Sequence, residues 1–92
     1  MIRSYADKAT ADLAEGRTVK AFEVFEKIAR RKLRMIEAAS RMDDLRSPPG
    51  NRPETLSGRR QGQWSIRIND RWRICFVWRD GAAEDLEVVD YH

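Results

Sequence analysis

The stretch from Gly62 to Trp78, GQWSIRINDRWRICFVW, constrains the fold more than any other. In Gln63 to Ile68 the apolar side chains fall on alternate positions, Trp64, Ile66 and Ile68, which is the period of a half-buried strand. Asn69 and Asp70 tolerate positive φ and predict a two-residue turn. The second arm alternates again. Trp72, Ile74, Phe76 and Trp78 point one way, while Arg71, Arg73, Cys75 and Val77 point the other. The chain is therefore expected to form a hairpin with one aromatic and β-branched face to bury. The second face carries Arg67 and Arg73. A guanidinium in mid-strand must reach water, a carboxylate or a phosphate, and its planar fork suits the last two.

The remaining segments supply what that hairpin needs. Met1 to Tyr5 alternates weakly and predicts a short edge strand, and Asp7 to Ala14 a short helix ending at Gly16. Thr18 is read as the N-cap of a long helix reaching about Ser40. Its apolar face is Phe22, Phe25, Ala29, Leu33 and Ile36, widened by Ile28, Met35 and Ala39. Lys32 falls inside that arc, where its ammonium is expected to snorkel outward. The polar side pairs Glu23 with Lys27 and Glu26 with Arg30, and adds Arg31 and Arg34. Such a face reads either as solvated and self-neutralising or as a phosphate-contacting surface on Lys27, Arg30, Arg31 and Arg34. One further turn is expected over Met42 to Leu45. Ser47-Pro48-Pro49-Gly50 then breaks the helix, and Asn51 to Gly58 is expected to be irregular or a short edge strand. Arg59, Arg60 and Gln61, between Gly58 and Gly62, could grip a phosphate backbone. A last strand is expected over Asp85 to Tyr91. The order is a short strand, two helices and an antiparallel sheet, which makes an α+β domain over 1–92.

Composition narrows the function classes. With 92 residues, 41% hydrophobic and three Trp, one small core is available and disorder is not indicated. The net charge of +3 leans towards a nucleic-acid partner, while the segment after Arg79 carries Asp80, Glu84, Asp85, Glu87 and Asp90 and no Lys or Arg. Cys75 is the only cysteine and has no Cys or His at ligand spacing, so no disulfide framework or metal site is expected. The absence of a signal-like or membrane-spanning apolar segment leads to the expectation of a cytoplasmic protein without a membrane role.

Chemistry concentrates at the end of the chain. His92, the only histidine, can exchange a proton near neutrality, and Asp90 could orient it, although chain ends often fray. If the last strand pairs with the second hairpin arm, Arg73 approaches Tyr91 and the loop from Glu54 to Arg60. Such a set fits RNA cleavage without a metal. A base takes the 2′-hydroxyl proton, the oxygen attacks the adjacent phosphorus, an acid protonates the leaving 5′-oxygen, and an arginine stabilises the phosphoryl oxygens. No Gly-rich nucleotide loop and no carboxylate or histidine cluster is present, so no cofactor is expected.

LRSPPGNRPETLSGRRQGQWSIRINDRWRICFVW followed by VVDYH resembles HigB-type toxins of the RelE/ParE superfamily. PGNR, the G-x-W-S-I-x-I-N hairpin start, the W-R-I arm and the terminal D-Y-H carry the resemblance over essentially the whole chain. It implies a small RelE-like domain and a ribosome-dependent mRNA endonuclease. It further implies neutralisation by a helix-turn-helix, HigA-like antitoxin, with operator DNA reached only through that complex. Arg73, Asp90, Tyr91 and His92 match the family's catalytic or substrate-binding residues. Glu54 stands where a histidine can occur, and Ser57 where lysine is usual. Reduced or altered potency is therefore expected, with Arg59 or Arg60 partly replacing the lysine. The alternatives are a non-enzymatic inhibitor of a protein such as DNA gyrase, and a degenerate toxin kept for antitoxin binding.

Overall fold

The computed structural model describes residues 1–91. Asp7 opens α1 (Lys8–Ala14) by accepting the Thr10 N–H at 2.9 Å, and Gly16 closes it at φ +92°, a conformation that costs glycine little. Thr10 and Leu13 are its buried residues.

The long helix expected from Thr18 is split. Lys20–Phe25 is a 3₁₀ helix, and the α-helix α2 runs only over Glu26–Ala38. Thr18 caps neither. Three residues per turn align Phe22 with Phe25, and both rings rest on Trp72 with centroids 5.7 and 5.0 Å away. Aromatic packing thus selects the tighter turn that the i, i+3 spacing also allows. Ala29, Leu33 and Ile36 bury the inner face of α2, whereas Ile28 stays 38% exposed. Lys32 does not snorkel. It is 5% exposed, and its Nζ donates to Asn51 Oδ1.

The sheet comprises β1 (Glu54–Thr55), β2 (Trp64–Arg67), β3 (Trp72–Arg79) and β4 (Ala82–Asp90), antiparallel and in sequence order. The β2–β3 turn is longer than the expected Asn69-Asp70 pair, because the ladder ends at Arg67 opposite Arg73. Asn69 acts through its side chain, whose Oδ1 accepts the Arg71 and Trp72 N–H groups at 2.9 Å each. Strand β4 begins before the expected Asp85. There the register slips by a bulge, with Asp85 itself in the left-handed region at φ +53°.

The N-terminal segment is not a full strand. It makes isolated parallel bridges, Ile2 with Ala83 and Tyr5 with Leu86, and Thr10 Oγ1 accepts the Val88 N–H at 3.0 Å. These contacts cover the outer edge of β4, the usual liability of an open sheet. Alternation places Ile66, Ile74 and Phe76 under α2, all fully buried. Trp64, Trp72 and Trp78 flank them, half-buried. Helices therefore pack on one face of an antiparallel sheet, an α+β arrangement. Among the described residues no helix is long and apolar enough to cross a membrane.

Candidate active site on the outer sheet face

On the face turned away from the helices Ser65 and Cys75 are fully buried and Arg73 is 9% exposed. The segment leading into the hairpin folds over them, with Leu56 buried beneath it. Register places Glu54, Ser65, Cys75 and Glu87 in one row across the four strands, and Arg67, Arg73 and Val89 in the next. Burial pushes the Cys75 thiol above its ordinary range, an effect that Arg60 opposes and Glu87 reinforces. Because the thiolate is the reactive form, native protein near neutral pH is expected to resist iodoacetamide. Stoichiometric labelling by mass spectrometry should follow only on unfolding, and rapid native labelling would contradict the buried position.

Arg73 is fixed from two sides. Its Nε donates to Ser65 Oγ at 2.7 Å, and its Nη2 to the Arg52 carbonyl at 2.7 Å and the Ser65 carbonyl at 3.4 Å. Glu54 Oε1 lies 4.0 Å from Nη2. The Nε–Nη2 edge of the fork is thus occupied internally. Among the described residues no acceptor takes Nη1, which is left for an outside anion. Arg67 stands directly across the ladder from Arg73 and ion-pairs with Asp70. Two cations side by side repel, and a phosphate bound between them would relieve that.

The other predicted residues divide. Arg60 reaches the same face but is engaged by Glu87 at 3.3 Å and Gln63 at 3.1 Å, while Arg59 is exposed. Tyr91 is 40% exposed, and its N–H donates to the Arg71 carbonyl at 2.7 Å, continuing the β4 alternation towards Arg73's face. Asp90 is opposite Trp72 in register, so alternation turns its side chain out of the row of Arg73, and it pairs with Arg71 at 2.5 Å. His92, named with them from sequence, lies outside the described residues.

The basic residues of α2 belong to the far layer. Lys27, Arg31 and Arg34 are exposed there, across the core from Arg73. Arg30 is not part of that surface at all. Its Nε and Nη2 donate to the Leu13 and Arg17 carbonyls at 3.2 and 2.9 Å, and it pairs with Glu26 at 3.0 Å, holding α1 to α2. Sequence reasoning missed Ser65 and the Arg52 carbonyl as partners of Arg73. A small polar residue between Trp64 and Ile66, on the arginine face by period, was the available signal for the first.

A four-stranded antiparallel sheet with helices on one face has counterparts among solved structures. A mutant YafQ from E. coli superposes with a TM-score of 0.62 at 11% identity, over 98% of this chain and 93% of that one. A YoeB–YefM complex from Staphylococcus aureus gives 0.61 at 19%, over 100% and 98%. At such identities the shared property is the fold. The family described as "RelE-like toxin of type II toxin-antitoxin system HigB" matches residues 5–92, and this chain belongs to it. Toxin HigB-1 of Vibrio cholerae is 51% identical over 53 residues, 58% of this chain and 56% of that relative. Endoribonuclease HigB of Proteus vulgaris is 46% identical over 37 residues, 40% of each chain. The chain thus matches less than two thirds of the length of these relatives.

Proposed function

We propose that this chain is the toxin of a type II toxin-antitoxin pair and cleaves messenger RNA on the translating ribosome without a metal. The observation that carries the reading is Arg73, pinned along one edge with Nη1 open, beside Arg67 and 4.0 Å from Glu54. A guanidinium held this way is preorganised for charge that develops on phosphoryl oxygens. Tyr91, His92 and Glu54 supply the proton transfers. One removes the 2′-hydroxyl proton as that oxygen attacks phosphorus, and another protonates the departing 5′-oxygen. Asp90 acts through Arg71, holding the end of β4 beside the hairpin turn. Arg59 and Arg67 meet the RNA backbone, while Lys27, Arg31 and Arg34, on the far layer, meet the ribosome. The relative named Endoribonuclease HigB supports the activity. The neighbour solved as a YoeB–YefM complex supports a protein antitoxin, here of the helix-turn-helix, HigA-like kind, in the cytoplasm.

RNA 5′ ends mapped across the transcriptome after brief induction test this. The wild-type chain is expected to produce new in-frame breaks inside translated messages, and a chain lacking Tyr91 and His92 none. A Ser57→Lys variant should produce more breaks than wild type, because it adds an exposed cation two residues beyond β1, the strand that carries Glu54. Growth arrest without breaks, retained by the truncated chain, would overturn the reading in favour of a protein target such as gyrase.

A further inference from the structure

Lys32 is costly where it stands. It is 5% exposed on the inner face of α2, and among the described residues no carboxylate pairs with it. Burial, reinforced by Arg31 and Arg67, pulls its ammonium below the usual range. Leucine or methionine would fill the same space in a helix face that is otherwise apolar. What the lysine supplies instead is one hydrogen bond, to Asn51 Oδ1.

Asn51 is fully buried, and its amide is committed in every direction. Nδ2 donates to the Leu45 carbonyl at 3.1 Å and the Ser47 carbonyl at 3.4 Å, with Met35 Sδ at 3.7 Å, while Oδ1 accepts from Lys32. The next residue, Arg52, is left-handed at φ +43°, a backbone conformation that residues with a Cβ seldom adopt unless neighbours impose it. That turn aims the Arg52 carbonyl at Arg73 Nη2, 2.7 Å away. The chain here crosses from the helix layer to the outer sheet face. It is held at Asn51 by α2 and at Arg52 by β3.

We propose that Lys32 is a positioning residue for Arg73, acting through Asn51 to fix the Arg52 carbonyl that orients the guanidinium. The inference rests on Arg73 working as proposed above. A shift of about 1 Å in a catalytic group can cost as much as ~100-fold in rate. Removing the Lys32 donor frees Asn51 Oδ1, relaxes the turn at Arg52 and lets the Arg73 fork rotate.

Message cleavage in a reconstituted translation mixture, measured for wild type, Lys32→Met, Arg73→Ala and the double variant, tests this. Lys32→Met is expected to lower kcat about 10- to 100-fold with little change in KM, and to cost nothing further in the Arg73→Ala background. Lys32→Gln, which keeps an N–H donor, should recover part of the loss and serves in the same cycle if Lys32→Met does not fold. An equal loss in both backgrounds, or full activity in Lys32→Met, would overturn the proposal. The Arg73 Nε–H resonance in ¹⁵N spectra reads the clasp without activity. It should move towards that of a free arginine in the Lys32 variant, and an unchanged resonance would also overturn the proposal. Absence of cleavage by the wild type would instead sink the functional reading and leave the spectrum to decide the clasp.

Discussion

Arg73→Ala is expected to lower the rate of message cleavage by about 100- to 1000-fold, the usual effect of removing a preorganised donor from a site of developing charge. Two effects compete in such a variant. The truncation also strips Ser65 Oγ and the Arg52 carbonyl of their donor, at about 1–3 kcal/mol of stability for buried groups left unpaired. The domain should survive this, so the rate is to be compared with the folded fraction from circular dichroism on the same sample. Arg73→Lys sharpens the test. One ammonium cannot reach Ser65, the Arg52 carbonyl and an incoming phosphate together, so it should recover less than about a tenth of the lost rate. Retention of most of the activity by a folded Arg73→Ala chain would remove this residue from the site.

Phe76→Ala carries the largest expected cost to the fold. Phe76 is fully buried in the middle of β3, opposite Trp64 and within the core formed with α2. Emptying such a position costs about 3–5 kcal/mol, against ~5–15 kcal/mol of total stability for an ordinary domain. For a chain of this size the midpoint of thermal unfolding should fall by roughly 12–40 °C. A scan by circular dichroism or calorimetry measures it, and a fall of only a few degrees would mean that the core closes elsewhere.

How much of this was legible follows from the range of the forces involved. Period-two alternation set the face of Ile66, Ile74 and Phe76 without reference to anything distant, and those residues are buried as read. Phe22 and Phe25 look alike in an α- or a 3₁₀ helix, and Trp72, far along the chain, decides between them. Lys32 turns inward for the same reason, since its partner Asn51 ends a three-residue 3₁₀ turn, Pro49–Asn51, too short to carry a periodicity. Asp90 and Tyr91 are neighbours at the end of a strand, so they cannot both turn to Arg73 while the strand continues. The cover over Ser65 and Cys75 was not legible, because it depends on where an irregular segment folds back rather than on any pattern within it.

The strip of main chain from Met1 to Ala6 that lies along β4 also bears on when the domain can assemble. Arg3 and Glu84, which meet there, are separated by 81 positions. Closing so long a span comes late and slowly in folding, because its entropy is lost before any contact compensates. Until β4 has emerged from the ribosome that makes it, the opening residues have no strand to lie against and the wall that bears Arg73 lacks its neighbour. A chain that stops within β4 therefore lacks part of the strand against which Met1 to Ala6 lies and cannot close its sheet.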